Sequence, residues 1–365
     1  MVVNLTKARK GIFLIIPFCI FILADIDAQS PGLNLIWENS WATGVNFFCD
    51  QPDVRNDQIK ITIAGKKSPI LGKLVSEGNM YSFYPVVPFT YNLEYQVILD
   101  EEVIQGFTIP VPDNLEHPNV QNIYPTSETI PANLLKIHIR FSQPMQEGKS
   151  DDFIFMINEK GDTVQNVFLD LQPELWNVDR TSLTMWLDPG RIKRDLQPNL
   201  KMGPPLIAGS DYQLVISKSW RNHHGLELAR DVIRTYRVVQ EDRIKPNIDN
   251  WEYSYPAVDS RDGLIIDFGE SIDYELAIDA IQIYSGDQHV DGNIILNKGE
   301  SQWIFSPDKL WTTGKYEIVI QSRLEDLAGN NLNHPFDRDL NSMSAPNNAQ
   351  DQVIILFSLP KNMAQ

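Results

Sequence analysis

The chain has 365 residues, which at about 150 residues per domain leaves room for two or three domains. Its 31 Lys and Arg stand against 48 Asp and Glu, a formal charge of −17, which argues against a phosphate-tracking nucleic-acid binder and a polybasic membrane-surface protein. At 42% hydrophobic and 22% charged residues, it is too apolar to remain disordered. Residues 1–28 read as a secretory signal peptide. Lys7, Arg9 and Lys10 supply a basic start, Ile12–Leu23 an apolar run, and Ala24 and Ala28 the small residues of a cleavage region. A membrane span needs about 20 apolar residues and Asp25 ends this run early, so removal after Ala28 is expected in preference to anchoring. Ile26 is a poor fit to the small-x-small cleavage pattern. No transmembrane segment is expected in the mature chain. Cys19 leaves with the signal, and Cys49, left without a partner for a disulfide, is expected to act as a small buried hydrophobe.

Past residue 30 the pattern is of short alternating strands punctuated by Gly, Pro, Asn and Asp, with no apolar period of 3.6 long enough for a major helix. The fold class is all-β: three tandem Ig-like β-sandwich domains. The first, divergent domain is placed at 29–113, with Phe83-Tyr84-Pro85 and Tyr95-Gln96-Val97-Ile98 as faint copies of later motifs. A proline-bearing boundary at Ile109–Asp113 leads to a second domain at 114–243, and the charged stretch Gln240–Pro246 leads to a third at 244–365. Both boundaries favour semi-rigid spacing, as in a short rod. Leu135–Phe141, Asp211–Ile216 and Lys315–Ile320 are expected strands, and Val353–Leu359 a returning edge strand after the polar tract Asn341–Gln352.

The second and third domains repeat one plan. Tyr124-Pro125 precedes a strand ending Phe141-Ser142-Gln143-Pro144-Met145, and Tyr255-Pro256 precedes one ending Phe268-Gly269-Glu270-Ser271-Ile272. Later, Tyr212 and Tyr316 each stand 13 residues before a glycine, Gly225 and Gly329. Such a tyrosine suits either a tyrosine corner or a plain half-buried strand position. With Leu324-Glu325-Asp326-Leu327-Ala328-Gly329-Asn330, these motifs resemble the bacterial Ig-like domain of the S-layer type. The whole arrangement is similar to a group of exported bacterial proteins that carry such domains in series. The resemblance implies a fold and a periplasmic, cell-surface or extracellular setting, and carries over no catalytic residue.

The second domain has about 14 more residues than the third between proline and tyrosine, and the excess falls at 190–208. That stretch holds Arg191, Lys193, Arg194 and Lys201 against Asp195, in an otherwise acidic chain. Two readings follow: an ordered loop that buttresses the next domain, or a surface for an envelope protein or an anionic glycan. Asp326, Asn330 and Asn331 offer oxygens of the kind calcium takes, but Gly329 aligns with Gly225 in a turn lacking the anions, so turn chemistry is the preferred reading. His223-His224 are read as a solvent-exposed hairpin tip instead of a zinc site, and His138 as a solvent-face residue. Trp186, Trp251 and Trp303 are expected in cores, whereas Trp37, Trp41, Trp176, Trp220 and Trp311 lie near strand ends. No Gly-x-Ser-x-Gly or His-Glu-x-x-His motif occurs, and no cofactor is expected. A non-catalytic envelope scaffold or binding module is therefore expected; a glycan- or peptide-acting hydrolase with its site at a domain junction is the alternative.

Overall fold

The computed structural model describes residues 32–51, 54–194, 196–337 and 350–360. The expected signal peptide, Asp195 and most of the 341–352 tract lie outside the described residues. Two compact units emerge: one runs to Phe89 and resumes over Glu94–Thr108, and the other takes Thr90–Leu93 and everything from Ile109. Among the described residues no helix exceeds six residues, and none is long and apolar enough to cross a membrane.

In the first unit, β1 (Leu33–Glu38), β2 (Trp41–Phe48), β4 (Gly72–Glu77) and β5 (Met80–Pro85) form a sheet ordered β1-β2-β5-β4. The facing sheet, β3-β6-β7, comprises Ile59–Ile63, Glu94–Leu99 and Glu102–Thr108. Seven strands split four and three in this order make an immunoglobulin-type sandwich. Alternation puts Val45, Phe47, Tyr81 and Phe83 of one sheet inward, opposite Ile61, Tyr95, Val97 and Phe107 of the other. Cys49 is buried with them, as its apolar context suggests.

The second unit contains two sandwiches. In the middle one, β8 (Val120–Tyr124), β10 (Lys136–Phe141), β12 (Leu175–Trp176) and β13 (Ser182–Trp186) form one sheet. The other holds β9 (Thr129–Pro131), β11 (Ile154–Asn158), β14 (Asp211–Ile216) and β15 (Val232–Val239), with β9 parallel to β15. In the last sandwich, β16 (Glu252–Ser254), β17 (Leu264–Asp267), β20 (Gly292–Asn297) and β21 (Gln302–Pro307) face β18 (Ile281–Ser285), β19 (Gln288–His289), β22 (Gly314–Gln321) and β23 (Gln352–Leu359). The first sheets repeat one strand order and the second sheets share three strands, with β9 beside β15 in the middle sandwich and β19 beside β18 in the last, where β23 is the expected edge strand. Both late tyrosines are tyrosine corners: Tyr212 Oη accepts from Ile207 N at 3.2 Å, and Tyr316 Oη donates to Thr312 O at 3.0 Å.

The cores of the middle and last sandwiches are filled by tryptophan. Trp220, 0% exposed, meets Phe141 edge-on and stacks with Phe153, while Trp303 and Trp311 anchor the last core with Phe305 and Tyr316. Trp220 and Trp311 stand near strand ends in the sequence, yet they are among the most buried side chains. Their indole N–H groups donate to Gln146 O and Asp262 O, so burial leaves no donor unpaired.

Candidate functional site

The described residues of the 190–208 insertion are held by their own chemistry. Asp188 caps α1 (Pro189–Ile192) by accepting from Gly190 N at 2.8 Å, with Pro189 in the first turn, where its missing N–H costs nothing. A second short helix, α2 (Gln197–Met202), ends at Gly203, whose φ of 74° the absence of a Cβ permits. Beneath them Arg191 is buried, 5% exposed. Its guanidinium donates to Gly203 O, Pro204 O, Gln165 O and Asn166 O at 2.8–3.0 Å, four carbonyls that no strand ladder reaches. Burial pulls this guanidinium below its ordinary pKa, although it stays a cation. The other cations point elsewhere. Lys193 lies 4.2 Å from the ring centre of Phe336, and Arg194 pairs with Asp337 at 3.0 Å, so both brace the last sandwich. Lys201 is exposed on α2 and makes no ion pair among the described residues. What the loop offers outward is mainly apolar: Leu196, Leu200, Met202 and Ile207 are 43%, 63%, 48% and 59% exposed.

That bracing continues into a polar seam between the middle and last sandwiches. His138 is buried, 4% exposed, which corrects its reading as a solvent-face residue: the outer face of β10 is covered by the next domain. It meets Thr184 Oγ1 through Nδ1 and Asp273 Oδ2 through Nε2, both at 2.9 Å. Lys136, one inward-outward period away on β10, pairs with Glu325 at 2.6 Å and reaches Asp273 at 3.8 Å. Burial alone would raise the Asp273 carboxyl, but His138 and Lys136 outweigh it and hold the group at about 2. For Glu325 the balance reverses, and burial lifts its pKa despite the lysine. Asp273 also caps α3 (Tyr274–Asp279) by accepting from Leu276 N, so one carboxylate starts a helix and closes the seam. Tyr124 and Tyr274 stack across it at 3.4 Å between ring centres, and Glu300 accepts from both Thr126 N and Thr126 Oγ1.

The turn at Asp326 repeats the one at Asn222. Asn222 Oδ1 accepts from His224 N and Leu226 N, and Asp326 Oδ1 accepts from Ala328 N and Asn330 N. Gly225 and Gly329 supply φ of 89° and 80°. The Asn330 and Asn331 side chains serve the same local folding: Asn330 Oδ1 accepts from Phe336 N, and Asn331 Oδ1 from Asn333 N and His334 N. Of the three calcium-type residues, only Asp326 meets further acids, and its Oδ2 accepts from Asn330 Nδ2 at 2.8 Å. Asp242 and Glu270 each bring an oxygen so that all three lie within 4.8 Å of one another. Desolvation, aggravated by Asp242, pushes Glu270 up to about 7 and Asp326 to about 8.

No family model matches the chain, and no curated protein matches it. Among solved structures it is similar to the FN1-FN3 domains of chicken CNTN1, at 10% identity and a TM-score of 0.20, covering 90% of this chain and 98% of that one. It is also similar to the MG0-NIE-MG1 span of Escherichia coli alpha-2-macroglobulin, at 11% identity and 0.23, covering 67% and 72%. The titin I-band fragment I67-I69 is similar at 10% and 0.19, covering 76% and 86%. The Ig-like character of the three domains rests on their strand order.

The adjacent histidines and the carboxylate of the main cavity are engaged locally. His223 and His224 are half-buried instead of exposed, with His223 Nδ1 3.0 Å from Pro144 O; burial lowers both, His224 to about 3. A cavity of about 340 Å³ opens at the side of the middle sandwich, lined in part by Ile154, Val167, Leu169, Glu174, Leu183 and Trp186. Its Glu174 carboxylate accepts from Gly148 N, Ser150 N and Trp176 Nε1 and so serves as a cap.

Proposed function

We propose that this chain is an exported, non-catalytic module of S-layer-type Ig-like sandwiches that scaffolds or binds in the bacterial envelope or outside the cell, with 190–208 as its recognition surface. The observation that carries this reading is the exposed set Leu196, Leu200, Met202 and Ile207, held on a loop whose underside is fixed by Arg191. A loop fixed beforehand loses little entropy on binding, and projecting Leu and Met side chains suit the core of a protein interface with Lys201 at its rim. An envelope protein therefore fits better than an anionic glycan, since Arg191 is buried and Lys193 and Arg194 are engaged with Phe336 and Asp337, which leaves Lys201 as the loop's uncommitted cation among the described residues. The groups at the middle-last seam are occupied with one another, which supports the non-catalytic reading over a hydrolase at that junction.

The test is binding to a solubilised envelope fraction by the double variant L200D/I207D, compared with K201E. At exposed positions neither should shift the melting curve, and the double variant should weaken binding by about tenfold or more. Unaltered binding by L200D/I207D would remove the loop from the interface. Loss confined to K201E would favour the anionic glycan.

A further inference from the structure

We propose that β23 pairs edge to edge with the β23 of a second copy of this chain, around a two-fold axis perpendicular to the sheet at Ile355. The inference is independent of the function proposed for 190–208. β23 ends its sheet, pairing along all eight residues with β22, from Gly314 against Leu359 to Gln321 against Gln352, without a register shift. Among the described residues no strand covers its other edge. Edge strands are ordinarily protected by charge, proline or a bulge. The edge strand β4 follows that rule, with Lys73 and Glu77. β23 reads Gln-Val-Ile-Ile-Leu-Phe-Ser-Leu, with none of the three, inside a chain of charge −17.

Exposure fits an unfinished edge. Ile354 and Leu356 on the outer face are 45% and 71% exposed, and Val353 and Ile355 on the core side are only half-buried. A perpendicular two-fold keeps each face matched to its own kind, so only registers pairing odd with odd and even with even positions are allowed. With Ile355 opposite itself, Ile354 meets Leu356, Val353 meets Phe357, and Gln352 meets Ser358. Over Gln352–Ser358 apolar side chains then lie against apolar ones and polar against polar, while Leu359 at the strand end falls opposite Asp351, one residue before the strand. Centring on Leu356 instead sets Ile354 against Ser358 and Gln352 against Pro360, which has no N–H to donate. Centring on Ile354 sets Leu356 against Gln352. The strand is self-complementary in one register, and an isologous contact of this kind closes at two copies. The product is one continuous eight-stranded sheet.

The experiment is light scattering behind size exclusion across a range of concentrations, on the wild-type chain, L356K and the control L310K, whose leucine is also exposed, at 53% against 71% for Leu356, and lies outside β23. A wild-type dimer is expected. L356K loses two leucine contacts per dimer and should dissociate about a hundredfold more readily, with L310K unchanged. Melting curves taken where all three are monomeric should coincide for wild type and L356K, which separates lost pairing from lost folding. A wild-type chain that is monomeric at its highest soluble concentration overturns the proposal, as does an L356K chain that dimerises like wild type. A monomer that instead takes up an unrelated strand peptide at this edge would assign the edge to a foreign partner and overturn self-pairing.

Discussion

Gln143 and Asn222 form a neutral amide pair in the middle sandwich, at 2.8 Å, where the last sandwich has the aligned acids Glu270 and Asp326. A turn that works with two carboxamides is thus built with two carboxyls, joined by Asp242 from the connecting stretch. Because burial raises both folded-state pKa values above the unfolded ones, their stabilising effect is complete below about pH 4 and is lost as pH rises through about 7 and 8. Glu270→Gln restores the amide of the other repeat and can donate to Asp326. It should raise the melting temperature at pH 8 by about 2–4 °C, worth ~1 kcal/mol in a unit of this size, and change little at about pH 4, where the Glu270 carboxyl is largely protonated both folded and unfolded. Equal shifts at both pH values would show that the carboxyls are not repelling one another. Chelator should leave the wild-type curve unmoved, since Asn330 and Asn331 are committed to backbone; a rise with calcium would give the three carboxylates to an ion. The glycine spacing made the turn itself legible from sequence. Its acidic company was not, because Asp242 and Glu270 reach Asp326 only through the packing of distant segments.

The 190–208 insertion was legible as an element by its length against the repeat, and its positive residues by count. Direction was not legible: two helices of four and six residues are too short for a periodicity to say which side chain turns inward. Arg191 is the case in point, since the same guanidinium that could grip an anion outside satisfies four carbonyls inside. Arg191→Met should cost about 3 kcal/mol, the order expected when charge-assisted hydrogen bonds are lost and buried acceptors left unpaired. Calorimetry on the full chain measures it, and a variant as stable as wild type would show that the loop is held by other means. Lys201→Met, on the exposed side, should be within about 0.5 kcal/mol of wild type. Some hairpins escaped sequence reading for a related reason: Asp100-Glu101 makes a two-residue turn at φ of 47° and 73° without the glycine or asparagine that usually marks one.

Across the whole molecule, three sandwiches followed from alternation and repeat spacing, whereas the merging of the last two into one unit did not. His138 and Lys136 look like the solvent face of a strand because the alternation rule separates inside from outside one sandwich and knows nothing of a neighbour. The seam predicts that the middle and last sandwiches melt together. Asp273→Asn removes the charge that His138 and Lys136 share and should cost about 3–5 kcal/mol, as breaking one partner of a buried pair does. It should also split their joint calorimetric transition into two; a single transition in the variant would mean that the ring stack and Glu300 suffice. With its folded pKa depressed to about 2, Asp273 contributes stability that is present above about pH 4 and is lost as pH falls toward 2, so the seam is expected to withstand mild acid. Strings of small sandwiches often exchange members by recombination, each domain travelling as a cassette. A crossover within 240–246 would strand Lys136 and His138 without their carboxylates and expose Tyr124 and Tyr274 on separate products. Here the heritable cassette is a pair.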